Sequence, residues 1–86
     1  MRVCEAVALF VAAKRSTTKK STVRWYERRL CSLIDVCGDV ELDELDLECL
    51  DQWQAQFGDD WSPWTVSGYL QACPTFCRWC VKRRYL

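Results

Sequence analysis

Apolar residues recur along the chain at spacings of three and four, in blocks separated by polar or glycine-containing breaks, which predicts an all-α chain of four helices. Residues 2–14 form the first block, with Val3, Cys4, Val7, Ala8 and Val11 expected on one side. Ser16-Thr17-Thr18 ends it, a run that competes with the helix for backbone hydrogen bonds. The second block, 21–37, carries Val23, Tyr26, Leu30, Leu33, Ile34 and Cys37 as its buried stripe, and Gly38 is placed to stop it. A connector over 39–45 turns Val40, Leu42 and Leu45 inward. Asp46 is then expected to cap a short third helix over 47–57, with Glu48 in its first turn and Cys49 or Leu50, Trp53 and Phe57 inward. The longest pattern spans 61–85. Ser62 is its expected N-cap and Pro63 its first helical residue, a position where proline gives up no hydrogen bond. Val66, Leu70, Cys73, Cys77 and Cys80 define its apolar face, widened by Trp64, Phe76 and Trp79. Pro74 lies inside this helix and is expected to kink or split it.

With 86 residues, half of them apolar, the chain is expected to form a single folded domain with its own core. The longest apolar run, AVALFVAA, is far shorter than the roughly 20 residues that span a bilayer, so neither a membrane helix nor a signal peptide is expected.

A formal net charge of zero conceals a strong segregation. Positions 14–29 hold seven bases (Lys14, Arg15, Lys19, Lys20, Arg24, Arg28, Arg29) against Glu27 alone, positions 35–60 hold ten acids and no base, and positions 78–84 hold four bases and no acid. Such a dipolar chain presents one face suited to a polyanion.

There is no histidine among the 86 residues, which removes most general-base, nucleophile-activation and mixed zinc schemes. Seven cysteines make an odd set that mostly falls on apolar helical positions, so they are expected to be reduced, in a cytoplasmic protein. Cys73, Cys77 and Cys80 match the Cys-x3-Cys-x2-Cys spacing of a radical iron–sulfur site. On a helix, however, that spacing is one apolar side rather than a loop around a cluster. No catalytic constellation, metal site or cofactor is expected, and the chain reads as a binding module.

Ser62-Pro63-x-Thr65-Val66, followed by Leu70, Cys73, Phe76, Cys77, Arg78 and Trp79, resembles the last helix of the core-binding, SAM-like N-terminal domain of phage integrases and related tyrosine recombinases. Lys20-Ser21-Thr22-Val23 with Tyr26 and Leu30, and Leu42-x-x-Leu45-Asp46 with Leu50, are similar to two further elements of that family in the same order. The resemblance implies a compact four-helix SAM-like bundle that clasps one side of double-stranded DNA during integration and recombination. A C-terminal catalytic domain of the same parent chain would close on the other side and carry the cleaving tyrosine. It also allows self-association on DNA. Tyr26, Tyr69 and Tyr85 are then not nucleophiles, and this segment is no enzyme by itself.

The expected DNA-binding residues are Lys19 and Lys20, in or just after the loop, with Ser21, Thr22, Arg24 and Arg28 on one side, and Ser62, Thr65, Ser67, Gln71 and Arg78, with Thr75, on another. Bases would neutralise phosphates, Ser62 and Thr65 would hold one phosphate at the helix start, and Gln71 or Arg78 would reach base edges. Gly68 would let a phosphate approach closely. A SAM-like protein–protein interaction module, with the acidic segment meeting a basic partner, is the alternative.

Overall fold

The computed structural model describes every residue but Asp46, Asp59 and Asp60, and only the backbone of Leu47. Four α-helices follow in order: α1 (Val3–Arg15), α2 (Lys20–Cys37), α3 (Leu47–Ala55) and α4 (Pro63–Lys82), with a 3₁₀ turn at Leu42–Glu44 between α2 and α3. The expected cap at Asp46 and the 59–60 loop lie outside the described residues.

Helix ends follow the local chemistry. Ser62 Oγ accepts the Thr65 amide at 3.2 Å and Pro63 opens α4, as expected. Gly38 closes α2 with φ of +82°, a backbone region that residues with a Cβ avoid. The start of α1 is held by Glu5, whose carboxylate accepts the Arg2 amide at 3.3 Å, and by the connector. The Cys4 amide donates to Asp39 Oδ1 at 2.9 Å, and backbone bonds from Val3 to Val40 and from Leu42 to Met1 pin the two segments side by side. α3 stops two residues before the expected Phe57, where Gln56 and Phe57 turn back on Trp53 and Gln54.

Two apolar clusters make the core. In the larger, Phe10 meets Tyr26, Phe76 and Trp79 edge-on at centroid distances of 5.3, 5.6 and 5.4 Å, the orientation aromatic quadrupoles favour. Val3, Ala6, Val7, Val11, Val23, Leu30, Leu42 and Cys80 complete it. The smaller cluster centres on Leu33, Trp53 and Cys73, with Leu50, Phe57 and Tyr69 against it, and the Trp53 indole N–H is satisfied by Ser32 Oγ at 3.1 Å.

Several sequence expectations change here. The buried side of α1 is Val3, Ala6, Val7, Phe10 and Val11, whereas Cys4 and Ala8 are exposed, because the large Phe10 ring sets which side turns inward. The α4 stripe likewise rotates toward Phe76. Gly68, Ala72, Cys73, Phe76 and Cys80 are buried, Val66, Cys77 and Trp79 are half-buried, and Leu70 and Trp64 face solvent. α4 is not split at Pro74. The proline is exposed on the outer side, where the Leu70 carbonyl left without its donor can be hydrated.

Cys73 and Cys80 are buried in different clusters and Cys77 packs against both, so the three act as small apolar side chains. The expectation of seven free thiols fails at Cys37 and Cys49, which are joined as a disulfide with Cα atoms 5.6 Å apart. The connector returns the chain so that the start of α3 lies beside the end of α2, a juxtaposition that helical periodicity does not report. Among the described residues, no helix is long and apolar enough to cross a membrane.

Candidate nucleic-acid interface

α2 carries five of the candidate residues, Lys20, Ser21, Thr22, Arg24 and Arg28, with Lys19 at its N-cap. Its spacing of four puts Lys20, Arg24 and Arg28 along one outer side, and all three are exposed, as are Lys19 and Ser21. The ion pairs of the described residues engage the Met1 amino group, Arg2 and Arg15, and none of Lys19, Lys20, Arg24 and Arg28 enters one. Lys20 and Arg24 border a shallow hollow with Arg15, Thr18, Val23 and Glu27. Arg24 and Arg28 border the next, with Glu27, Cys31, Ser32 and Asp35. The row is therefore basic and free, flanked by two carboxylates. Ser21 and the half-buried Thr22 line a third hollow with Trp25 and Tyr26.

On the side toward α4, Trp25 and Arg29 face Trp64, Thr65, Ser67, Gly68 and Gln71 across a groove between the two helices. The candidate residues Thr65, Ser67 and Gln71 thus come together there, while Lys19, Ser62 and Arg78 line none of these hollows. Gln71 donates to Ser67 Oγ at 3.4 Å, its carbonyl accepts the Thr75 hydroxyl at 2.9 Å, and the Ser62 and Thr65 hydroxyls lie 3.1 Å apart.

The helix start is less open than expected. The Thr65 amide is taken by Ser62 Oγ, the Val66 amide by the Ser62 carbonyl, and Pro63 has none, so the anticipated phosphate seat at Ser62 and Thr65 lacks most of its donors. Gly68 also plays another part. A Cβ placed there would sit 3.1 Å from Arg29 Nε and 3.1 Å from the Trp25 ring, so the glycine admits the α2 side chains rather than a phosphate.

Arg29 and Trp25 are the residues that sequence reasoning left out of the site. The Arg29 guanidinium lies 4.1 Å from the Trp25 ring centroid and 5.0 Å from that of Tyr69, and its Nη1 donates to the Trp25 carbonyl at 3.1 Å. Its Nε is buried against Gly68 without a partner, and this burial lowers the pKa of the group from its ordinary value. The usable signal was spacing: Arg29 stands four after Trp25 and seven after Thr22, on the border of the apolar stripe rather than on the outer row.

No known protein family, curated protein or solved structure matches this chain.

Proposed function

We propose that the chain is a DNA-binding module that clasps one side of a duplex, of the kind found as the core-binding domain of tyrosine recombinases. The observation that carries this reading is the exposed row Lys20, Arg24 and Arg28 on α2, extended by Lys19 and free of ion pairs among the described residues, on the helix that also forms one wall of a groove lined by hydroxyl and amide groups. Cations held on one helix side at a four-residue rise, about 6 Å, track a phosphate backbone and displace its counterions on binding. Thr65, Ser67 and Gln71 supply neutral polar contacts that fix orientation, and Gln71, exposed on α4, is the candidate for a base edge. In this reading strand cleavage belongs to a separate catalytic domain of the parent protein, and this chain contributes grip and register in a cytoplasmic setting.

Titration of the chain with a mixed-sequence duplex at several salt concentrations tests the proposal. Four phosphate contacts by Lys19, Lys20, Arg24 and Arg28 give a slope of log affinity against log salt of about −3 to −4. Absence of binding at low salt, or binding indifferent to salt, refutes it.

A further inference from the structure

Among the described residues Trp64 is the large apolar side chain most open to solvent, at 88% exposure, although it stands on a helix whose other aromatic residues all pack inward or lie half-buried. It is at the rim of the α2–α4 groove, in the first turn of α4, with Thr65, Ser67 and Gln71 along the same wall. The opposite wall is Trp25 with Arg29. The Arg29 fork is held in place from three directions: its central carbon lies 4.1 Å from the Trp25 and 5.0 Å from the Tyr69 ring centroid, Nη1 is bonded to the Trp25 carbonyl, and Nε, with Nη2 a little farther off, faces Gly68. Its Nη2 has no hydrogen-bond partner among the described residues and is not among their enclosed, unpartnered atoms. A positioned guanidinium with one edge still to be satisfied suits an anionic oxygen.

The groove therefore offers an open aromatic face, a fixed cation and a short row of hydroxyl and amide groups. An intact duplex uses only part of that set, because its bases show their edges in the grooves while their faces are stacked on one another. An unstacked nucleotide uses all of it: a ring to lie on an indole and a phosphate to meet a guanidinium. Arg28 of the free basic row stands about 100° round α2 from Arg29, so a strand that leaves the groove and wraps around α2 finds further cations.

We propose that the groove between α2 and α4 binds one unstacked nucleotide of a single-stranded stretch, its base on Trp64 and its phosphate at Arg29. This rests on the nucleic-acid reading above and adds to it a preference for melted or single-stranded DNA at one defined place. Thr65, Ser67 and Gln71 lie where they meet the sugar and base edge.

The test compares a short oligothymidylate with a mixed-sequence duplex of equal length by fluorescence anisotropy at low salt, for the wild-type chain, Trp64→Ala and Arg28→Ala. Trp64 is too exposed for its removal to open the core, and far-UV circular dichroism verifies that the fold is kept. The expected result is that Trp64→Ala weakens single-strand binding by about 5- to 150-fold, the range of one base–aromatic stack, and changes duplex binding less than about twofold, while Arg28→Ala weakens both alike through the shared phosphate term. Duplex binding with no single-strand binding, or a Trp64→Ala effect that is nil or equal on both ligands, overturns this inference and leaves the duplex reading standing. Failure of the wild-type chain to bind either oligonucleotide overturns both.

Discussion

The acidic connector and the basic row of α2 carry opposite charge and are used in opposite ways. Asp39 and Glu41 are committed internally: Asp39 accepts the Cys4 amide and thiol at 2.9 and 3.0 Å and lies 3.8 Å from Arg2, and Glu41 pairs with the Met1 amino group at 2.9 Å. They tie the start of α1 to the chain some forty residues on. Among the described residues, the side chains of Lys19, Lys20, Arg24 and Arg28 enter no ion pair or hydrogen bond. Equal totals of 12 acids and 12 bases thus yield no neutral surface, because part of the acidic charge is answered within the fold while the row on α2 stays open to a partner. Formal net charge says little about binding when one sign is structural and the other is free.

The sharpest way to break this contrast is to reverse the free row. Lys20→Glu, Arg24→Glu and Arg28→Glu together are expected to reduce low-salt duplex affinity by on the order of 100-fold or more and to flatten its salt dependence by about three contacts. The melting temperature should move little, since exposed substitutions without partners usually stay within about 0.5 kcal/mol each. Neutralising the connector with Asp39→Asn and Glu41→Gln should give the reverse pattern, near-normal DNA affinity with a loosened α1. If the triple variant binds as tightly as wild type, the free row is only a solvated face and the division of labour between the two segments is wrong.

A finer version of the contrast lies in two neighbouring arginines that charge counting treats alike. Arg28 is exposed, whereas Arg29 is half-buried and clasped by Trp25, Tyr69 and Gly68. Arg29→Ala removes two cation–π contacts and the packing of the α2–α4 seam, and an expected cost of about 1–3 kcal/mol should appear in urea unfolding. Arg28→Ala should stay within about 0.5 kcal/mol while lowering the salt slope by about one. Equal stability losses in the two variants would mean that the aromatic clasp contributes nothing to the fold.

These residues also mark where the amino-acid pattern was readable and where it was not. The helix count, the Ser62–Pro63 start of α4, the Gly38 stop and the α2 stripe were legible, because each depends on neighbours within one or two turns. The inward side of α1 and α4 was misjudged by part of a turn. Cys4, Ala8, Leu70 and Trp64 are apolar at suitable spacing, but the mutual contact of Phe10 and Phe76 decides the rotation. The capping of α1 by Asp39, the Cys37–Cys49 bond and the seating of Arg29 against Gly68 join residues 12 to 39 positions apart. Periodicity describes one helix at a time and is silent on such pairs. Of the candidate site, the outer row of α2 and the polar wall of α4 were visible as composition; the groove between them existed only once the helices were packed.

The smallest expected effect concerns the internal side of the comparison, the connector's hold on α1. The Cys4 thiol and amide, then Arg2, hold the Asp39 carboxyl below its ordinary value of 3.8, and the same bond raises the Cys4 thiol above 9.0. The Met1 amino group is raised above 8.0, first by its hydrogen bond and then by its charge interaction with Glu41. For Asp39 the folded value lies below the unfolded one, so its contribution is present above about pH 4 and disappears as pH falls through the lower folded value. For Cys4 and the amino group the folded values lie above the unfolded ones, so their contribution is complete below about pH 8 and fades as pH rises through the folded values. Hydrogen exchange at the Cys4 amide should therefore be best protected, after correction for intrinsic rates, between about pH 4 and pH 8. All three groups are solvent-exposed, which keeps the effect small and sensitive to salt. In Asp39→Asn the acid limb should vanish and the alkaline limb due to Met1 should persist. Parallel profiles for the variant and the wild type through the acid limb would show that Asp39 does not hold the α1 start, and that the connector's charge is as free as that of α2.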